Sequence, residues 1–162
     1  MLYRRFYGFA MSVCLRYAAG RNDALEILND GFMKVFTNIE KHDQDRPFKN
    51  WFRKILVNTA LDRFRAGKRF RISITIDEVE VAGEPELTNW MEAEEILELL
   101  SDLPESYRLI FNLYEVEGYS HDEIAGMLDI APGTSRSHLS RAKMMLRKSY
   151  MQKLNKPHNE AI

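Results

Sequence analysis

Apolar residues recur at three- and four-residue spacing along almost the whole chain, and that period commits it to helices packed on helices. A first segment, about residues 3–18, aligns Phe6, Phe9 or Ala10, Val13 and Tyr17. A second, about 23–39, places Ala24, Ile27, Leu28, Gly31, Phe32 and Val35 on one stripe. A third, about 48–66, groups Phe52, Ile55, Leu56 and Thr59. The polar stretch from Glu40 to Pro47 separates the last two as a loop closed by proline.

One segment breaks the period. Ile72, Ile74 and Ile76 alternate with Ser73 and Thr75, the signature of a strand. No partner strand follows, and a lone strand is not stable in water. An extended acidic linker, Asp77 to Thr88 with Pro85 inside it, is the more economical reading. Helical spacing then returns. An acidic helix over 92–101 carries Ile96, Leu99 and Leu100 as its apolar stripe. Pro104 opens the next, at a position where a missing N–H costs little, and it runs to Val116 and stops at Gly118. The expected fold is all-α: two small helical domains, residues 1–71 and 92–152, joined by the linker 72–91 and followed by a disordered tail, 153–162.

The net charge of −1 hides three blocks. Residues 1–73 hold 15 Lys and Arg against 7 Asp and Glu, residues 74–133 hold 1 against 16, and residues 134–162 hold 7 against 1. Two basic ends around an acidic middle suggest two separate contacts with a polyanion. Solvated helix faces of differing sign are the plainer alternative, and they explain a three-block segregation less well.

Other classes are poorly served by these residues. Cys14 is the single cysteine, so there is no internal disulfide and no multi-cysteine zinc site. His42, His121, His138 and His158 lack metal-ligand spacing. There is no Gly-rich phosphate loop, no nucleophile motif and no carboxylate cluster at metal spacing, so neither an enzyme nor a cofactor is expected. Arg4 and Arg5 before Gly8–Leu15 loosely mimic a signal peptide, but Arg16 interrupts the run. No stretch approaches the ~20 apolar residues of a membrane span. A reducing, cytoplasmic home fits.

The C-terminal third carries the sharpest local signal. Ser120-His121-Asp122-Glu123 is a capping box, with Ser120 accepting from the Glu123 N–H and Glu123 reaching back. The short helix it starts buries Ile124, Ala125 and Leu128. Asp129 stands where a tight turn needs left-handed backbone. Pro132 then starts a second helix with a buried stripe of Ser135, Leu139, Ala142 and Leu146. Its other face carries Thr134, Arg136, Ser137, His138, Ser140, Arg141 and Lys143. That is a helix-turn-helix, and such a face suits a major groove: arginine bonds guanine edges bidentately, and the remaining groups hold phosphates. A solvated face on an ordinary helical hairpin is the bland reading.

These residues resemble the extracytoplasmic-function sigma factors. Leu103-Pro104, Arg108, Phe111 and Leu113, then Gly118-Tyr119-Ser120, Glu123-Ile124-Ala125 and Leu128, then Gly133-Thr134 and Ser137 to Ala142 are similar to that family's C-terminal domain. The resemblance implies binding of the upstream, minus-thirty-five promoter element. Ser135 stands where the family has an apolar residue and Asp129 where it has glycine, while Ala131 offers no capping side chain. Ala24, Ile27 to Phe32, Val35 and Phe36 resemble the helix that docks on the clamp of RNA polymerase. This implies Asn29, Asp30 and Lys34 as polar contacts to core polymerase. Phe48 to Phe52, Ile55, Asn58, Leu61-Asp62 and Arg65 resemble the helix that reads the minus-ten element.

Helical geometry fits that last match independently, since Asn58, Asp62 and Arg65 fall at i, i+4 and i+7, away from the apolar stripe. Asn and Asp bond base edges, while Arg65, Lys68, Arg69 and Arg71 suit the backbone. A surface stripe bonded within its own helix is the alternative. Trp51 either stacks near an opened strand or covers the core. The resemblance makes the loop His42–Lys49 a pocket for an unstacked base, with Asp43 and Asp45 as acceptors or simply solvated.

It also implies as partners core polymerase, through clamp and flap, promoter DNA and an anti-sigma factor, the free chain being a monomer. The linker has the reach: about 22 residues extended span up to ~70 Å, enough for one and a half to two duplex turns of ~34 Å. The rival is a stand-alone helix-turn-helix regulator, which binds its operator tightly without polymerase and is usually a dimer.

Overall fold

The computed structural model describes residues 1–67 and 93–155. The chain divides into two compact units, Met1–Ser73 and Ile74–Ile162. Lys68, Arg69, Arg71, the isoleucine alternation and the whole 72–91 linker lie outside the described residues.

The first unit is three helices, each packed on the other two: α1 (Leu2–Tyr17), α2 (Arg21–Asn38) and α3 (Phe48–Gly67). The stripes read from the sequence close its core. Phe32, Phe52, Leu28, Leu56 and Val35 are fully buried, and the Phe32 and Phe52 rings meet at 4.8 Å between centroids. Gly31 lets α2 and α3 approach closely, because a Cβ there would stand 2.5 Å from Leu56 Cδ2. A single 3₁₀ turn, Ile39–Lys41, ends α2 and leads into the loop before α3.

The second unit is built around α7 (Pro132–Leu154), against which α4 (Ala93–Ser101), α5 (Glu105–Phe111) and α6 (His121–Leu128) all pack. α5 continues into a π turn, Asn112–Val116, before Gly118 reverses the chain at φ +77°. Buried Arg108 donates to the Ser101 carbonyl (3.4 Å), satisfying an orphan acceptor at the end of α4.

Three expectations are corrected. Ile96 is 38% exposed, since the apolar residues that α4 buries are Leu99 and Leu100. Leu128 is only half-buried, because the left-handed turn follows at once. α7 also extends to Leu154, into the expected tail, where Lys153 is ion-paired with Glu98 of α4. No strand occurs among the described residues, and none of their helices is long and apolar enough to cross a membrane.

Candidate nucleic-acid interface

The helix-turn-helix is built by local chemistry. Ser120 Oγ accepts from the Glu123 N–H (3.1 Å), and Glu123 Oε2 accepts from the Ser120 N–H (2.7 Å). The turn places Asp129 at φ 54°, ψ 52°, and α7 starts with Pro132 in its first turn. The unusual Ser135 has a reason: fully buried, its Oγ lies 2.9 Å from Nδ1 of His121, the first residue of α6. The His121 ring in turn stacks on Tyr114 (4.4 Å, 17°). This strut, which helical spacing does not reveal, joins the two helices of the helix-turn-helix and fixes their mutual angle.

α7 turns a narrower face outward than the sequence suggested. Arg136 and Ser137 are exposed, and Thr134 and Ser140 are partly so. His138 is not on that face: it is 8% exposed, its ring edge-on to Tyr107 at 4.9 Å. Burial, and then the charge of Arg141, hold its imidazole below the ordinary histidine range. Arg141 is half-buried, with Nη1 3.5 Å from the Tyr107 hydroxyl. Lys143 is ion-paired with Glu115 of the π turn at 2.7 Å, its side chain only 12% exposed. α5 and the π turn therefore claim one edge of the predicted face. Helical spacing alone could not assign that edge, since its neighbours come from elsewhere in the chain.

In the first unit, Asn58, Asp62 and Arg65 all lie exposed on one side of α3, as their spacing requires. They are not equally available. Asp62 pairs with Lys34 of α2 (3.0 Å) and with Arg65 (3.7 Å), so it links the expected polymerase helix to the expected promoter helix. Asn29 and Asp30 are exposed on α2, and Asp30 pairs with Arg63 at 3.1 Å. Arg63 also binds Glu26, and Asp23 at 3.6 Å. Arg63 did not stand out in the sequence. Asp23, Glu26 and Asp30 at i, i+3 and i+7 were the available signal, because three carboxylates on one face call for a cation.

The loop before α3 is partly self-satisfied. Asp43 accepts from the Asp45 N–H (3.0 Å) and pairs with Arg46 (3.4 Å). Its carboxylate is thus engaged within the loop, though both Asp43 and Asp45 are exposed. Trp51 is half-buried against His42 (4.9 Å) and Phe48 (5.8 Å), covering the base of the loop. No group of three His, Cys, Asp or Glu residues among those described could hold a metal ion.

Two separately folded helical units, one ending in a helix-turn-helix, match two known sequence families in register. Residues 2–70 match Sigma-70 region 2, and residues 93–146 match Sigma-70 region 4. The chain belongs to the sigma-70 family, in its extracytoplasmic-function branch. The ECF RNA polymerase sigma-E factor of Haemophilus influenzae is 26% identical over 160 residues, covering 90% of this chain and 84% of that one. Its counterpart in Escherichia coli K12 is 28% identical over 158 residues, 88% and 81% of the two chains. The fold resembles that of the sigma factor RpoE of Bartonella quintana, solved in complex with the anti-sigma factor NepR. There the TM-score is 0.54 at 20% identity, over 93% of this chain and 94% of that one.

Regions 2 and 4 on one chain make this a sigma factor of transcription initiation, not a stand-alone regulator. RNA polymerase and promoter DNA are the partners those two regions imply. α2 and α3 both lie within region 2, and the helix-turn-helix lies within region 4.

Proposed function

We propose that the two units divide promoter recognition between them. The first docks on the polymerase clamp through Asn29, Asp30 and Lys34, and reads the minus-ten element through Asn58, Asp62 and Arg65, with Lys68 and Arg69 on the backbone. The second reads the minus-thirty-five element with Thr134, Arg136, Ser137 and Ser140, with Arg141 at the groove edge, while Lys143, paired with Glu115, and His138 support the helix from beneath. The flap of the polymerase receives this second unit. The linker 72–91 connects the two units. An anti-sigma factor holds the chain inactive in the cytoplasm until released, the free chain is a monomer, and it catalyses nothing itself.

The observation that carries this reading is the exposed Arg136–Ser137 pair in the first turns of α7, directly after the left-handed turn at Asp129. Side chains there stand closest to base edges when such a helix enters a major groove. Capture of an unstacked base supplies the other half of selectivity, because unpairing costs a few kcal/mol that only a fitting pocket returns.

Run-off transcription with purified core polymerase on a genomic fragment pool tests the division of labour. Asn29→Arg, at an exposed position outside the Arg63 cluster, is expected to abolish polymerase binding and all specific transcripts. Arg136→Ala is expected to keep polymerase binding and lose preference at the upstream element. Full transcription by the Asn29→Arg variant would contradict the assignment of α2.

A further inference from the structure

α7 is longer than base reading requires. Its 23 residues extend about 34 Å at 1.5 Å per residue, whereas the major groove is about 12 Å wide. On a helix advancing 100° per residue, an interval of eleven returns a side chain to within about 20° of its starting azimuth. Arg147 therefore lies above Arg136, and Lys148 above Ser137, three turns further on. All four are exposed, Ser137 and Lys148 opposite the buried stripe of Ser135, Leu139, Ala142 and Leu146 and Arg136 and Arg147 about a right angle from it. The other two lysines of α7 up to Leu154 are ion-paired within the unit, the nearly buried Lys143 with Glu115 and the exposed Lys153 with Glu98. Arg147 and Lys148 pair with no carboxylate among the described residues.

We infer that Arg147 and Lys148 form a sequence-independent phosphate clamp beside the upstream element, on the same face that presents Arg136 and Ser137 to the bases. The two pairs are separated by about 16 Å along the axis, more than the groove width. With the first turns at the base edges, the later pair stands past the groove wall, where the phosphates are. The ligand is a phosphodiester backbone, which takes a cation at each oxygen and carries no sequence information. This rests on reading α7 as the recognition helix.

The test is the affinity of the complete polymerase–sigma assembly for a promoter duplex, measured across a range of KCl concentrations. Both substitutions to alanine keep the helix, since alanine has the highest helix propensity. The Arg147→Ala/Lys148→Ala variant is expected to flatten the plot of log affinity against log salt by about 1.8, at ~0.9 for each phosphate no longer neutralised. It should weaken matched and scrambled upstream elements by the same factor. Lys153→Ala, a charge removed from another side of the same helix, should leave the slope alone. An unchanged slope in the double variant overturns the clamp while leaving the recognition helix in place. Loss of core polymerase rather than of DNA also overturns it, giving the stripe to a protein partner. Arg136→Ala retaining full upstream preference would sink the underlying reading, and the clamp with it.

Discussion

Cys14 lies on the inner side of α1, where burial and then the charge of Asp23 push its thiol up to about 12. The thiolate is the reactive species, so the native protein at pH 8 is expected to resist thiol reagents and to label stoichiometrically only in denaturant. Rapid native labelling would mean that α1 does not pack as described. His138 behaves in the opposite sense. Its folded imidazole is held below the ordinary value of about 6.5, so the unfolded state binds protons more readily. The stability this neutral histidine contributes is complete above about pH 6.5 and is lost as pH falls toward the folded value. Thermal melts of the wild type are expected to weaken between pH 7 and pH 5, and His138→Phe should flatten that slope. An equal slope in both would contradict the burial. The sequence displayed the Ser120–Glu123 cap and the Asp129 turn openly, because each is complete within four residues. It hid the fates of His138 and Lys143, because Tyr107 and Glu115 reach them across the fold.

Two glycines give the same substitution opposite signs at the level of helices. Gly31 seats α2 against α3, and Leu56, whose Cδ2 a Cβ would meet, is itself 1% exposed and has little room to turn. Gly31→Ala is expected to destabilise the first unit by about 1–3 kcal/mol, the cost of overpacking. Gly126, inside α6, has nothing within 4 Å of an added Cβ. Gly126→Ala should therefore stabilise the second unit by about 0.5–1 kcal/mol, by reducing the freedom of the unfolded chain. Urea denaturation measures both, and a shared sign would show one site misdescribed. Helix existence and order were legible because each stripe repeats over several turns. The π turn after α5 was not, since Asn112 lies in an apolar helical pattern that reads as ordinary α-helix; its Nδ2 bonds the Arg108 carbonyl (2.9 Å) from a fully buried position. The ion pairs between α2 and α3 were also invisible as pairs. They join solvent-accessible side chains, so each contributes roughly 0–1 kcal/mol.

Across the whole molecule, the charge segregation matters more than any single pair. Along the sequence, basic ends flank an acidic middle; the first basic block falls largely within the matched region 2, and the second begins within the matched region 4. On the proposed reading each unit presents few base-reading side chains, so neither is expected to supply much discrimination by itself. Polymerase, in this account, supplies the spacing that makes two weak readings act as one. The decisive measurement is enrichment of bound duplexes from a random DNA library, by this chain alone and by this chain with core polymerase. With polymerase, selected sequences are expected to carry two separated blocks at a fixed distance; the chain alone should enrich nothing beyond background. A single motif selected equally well without polymerase would contradict the account.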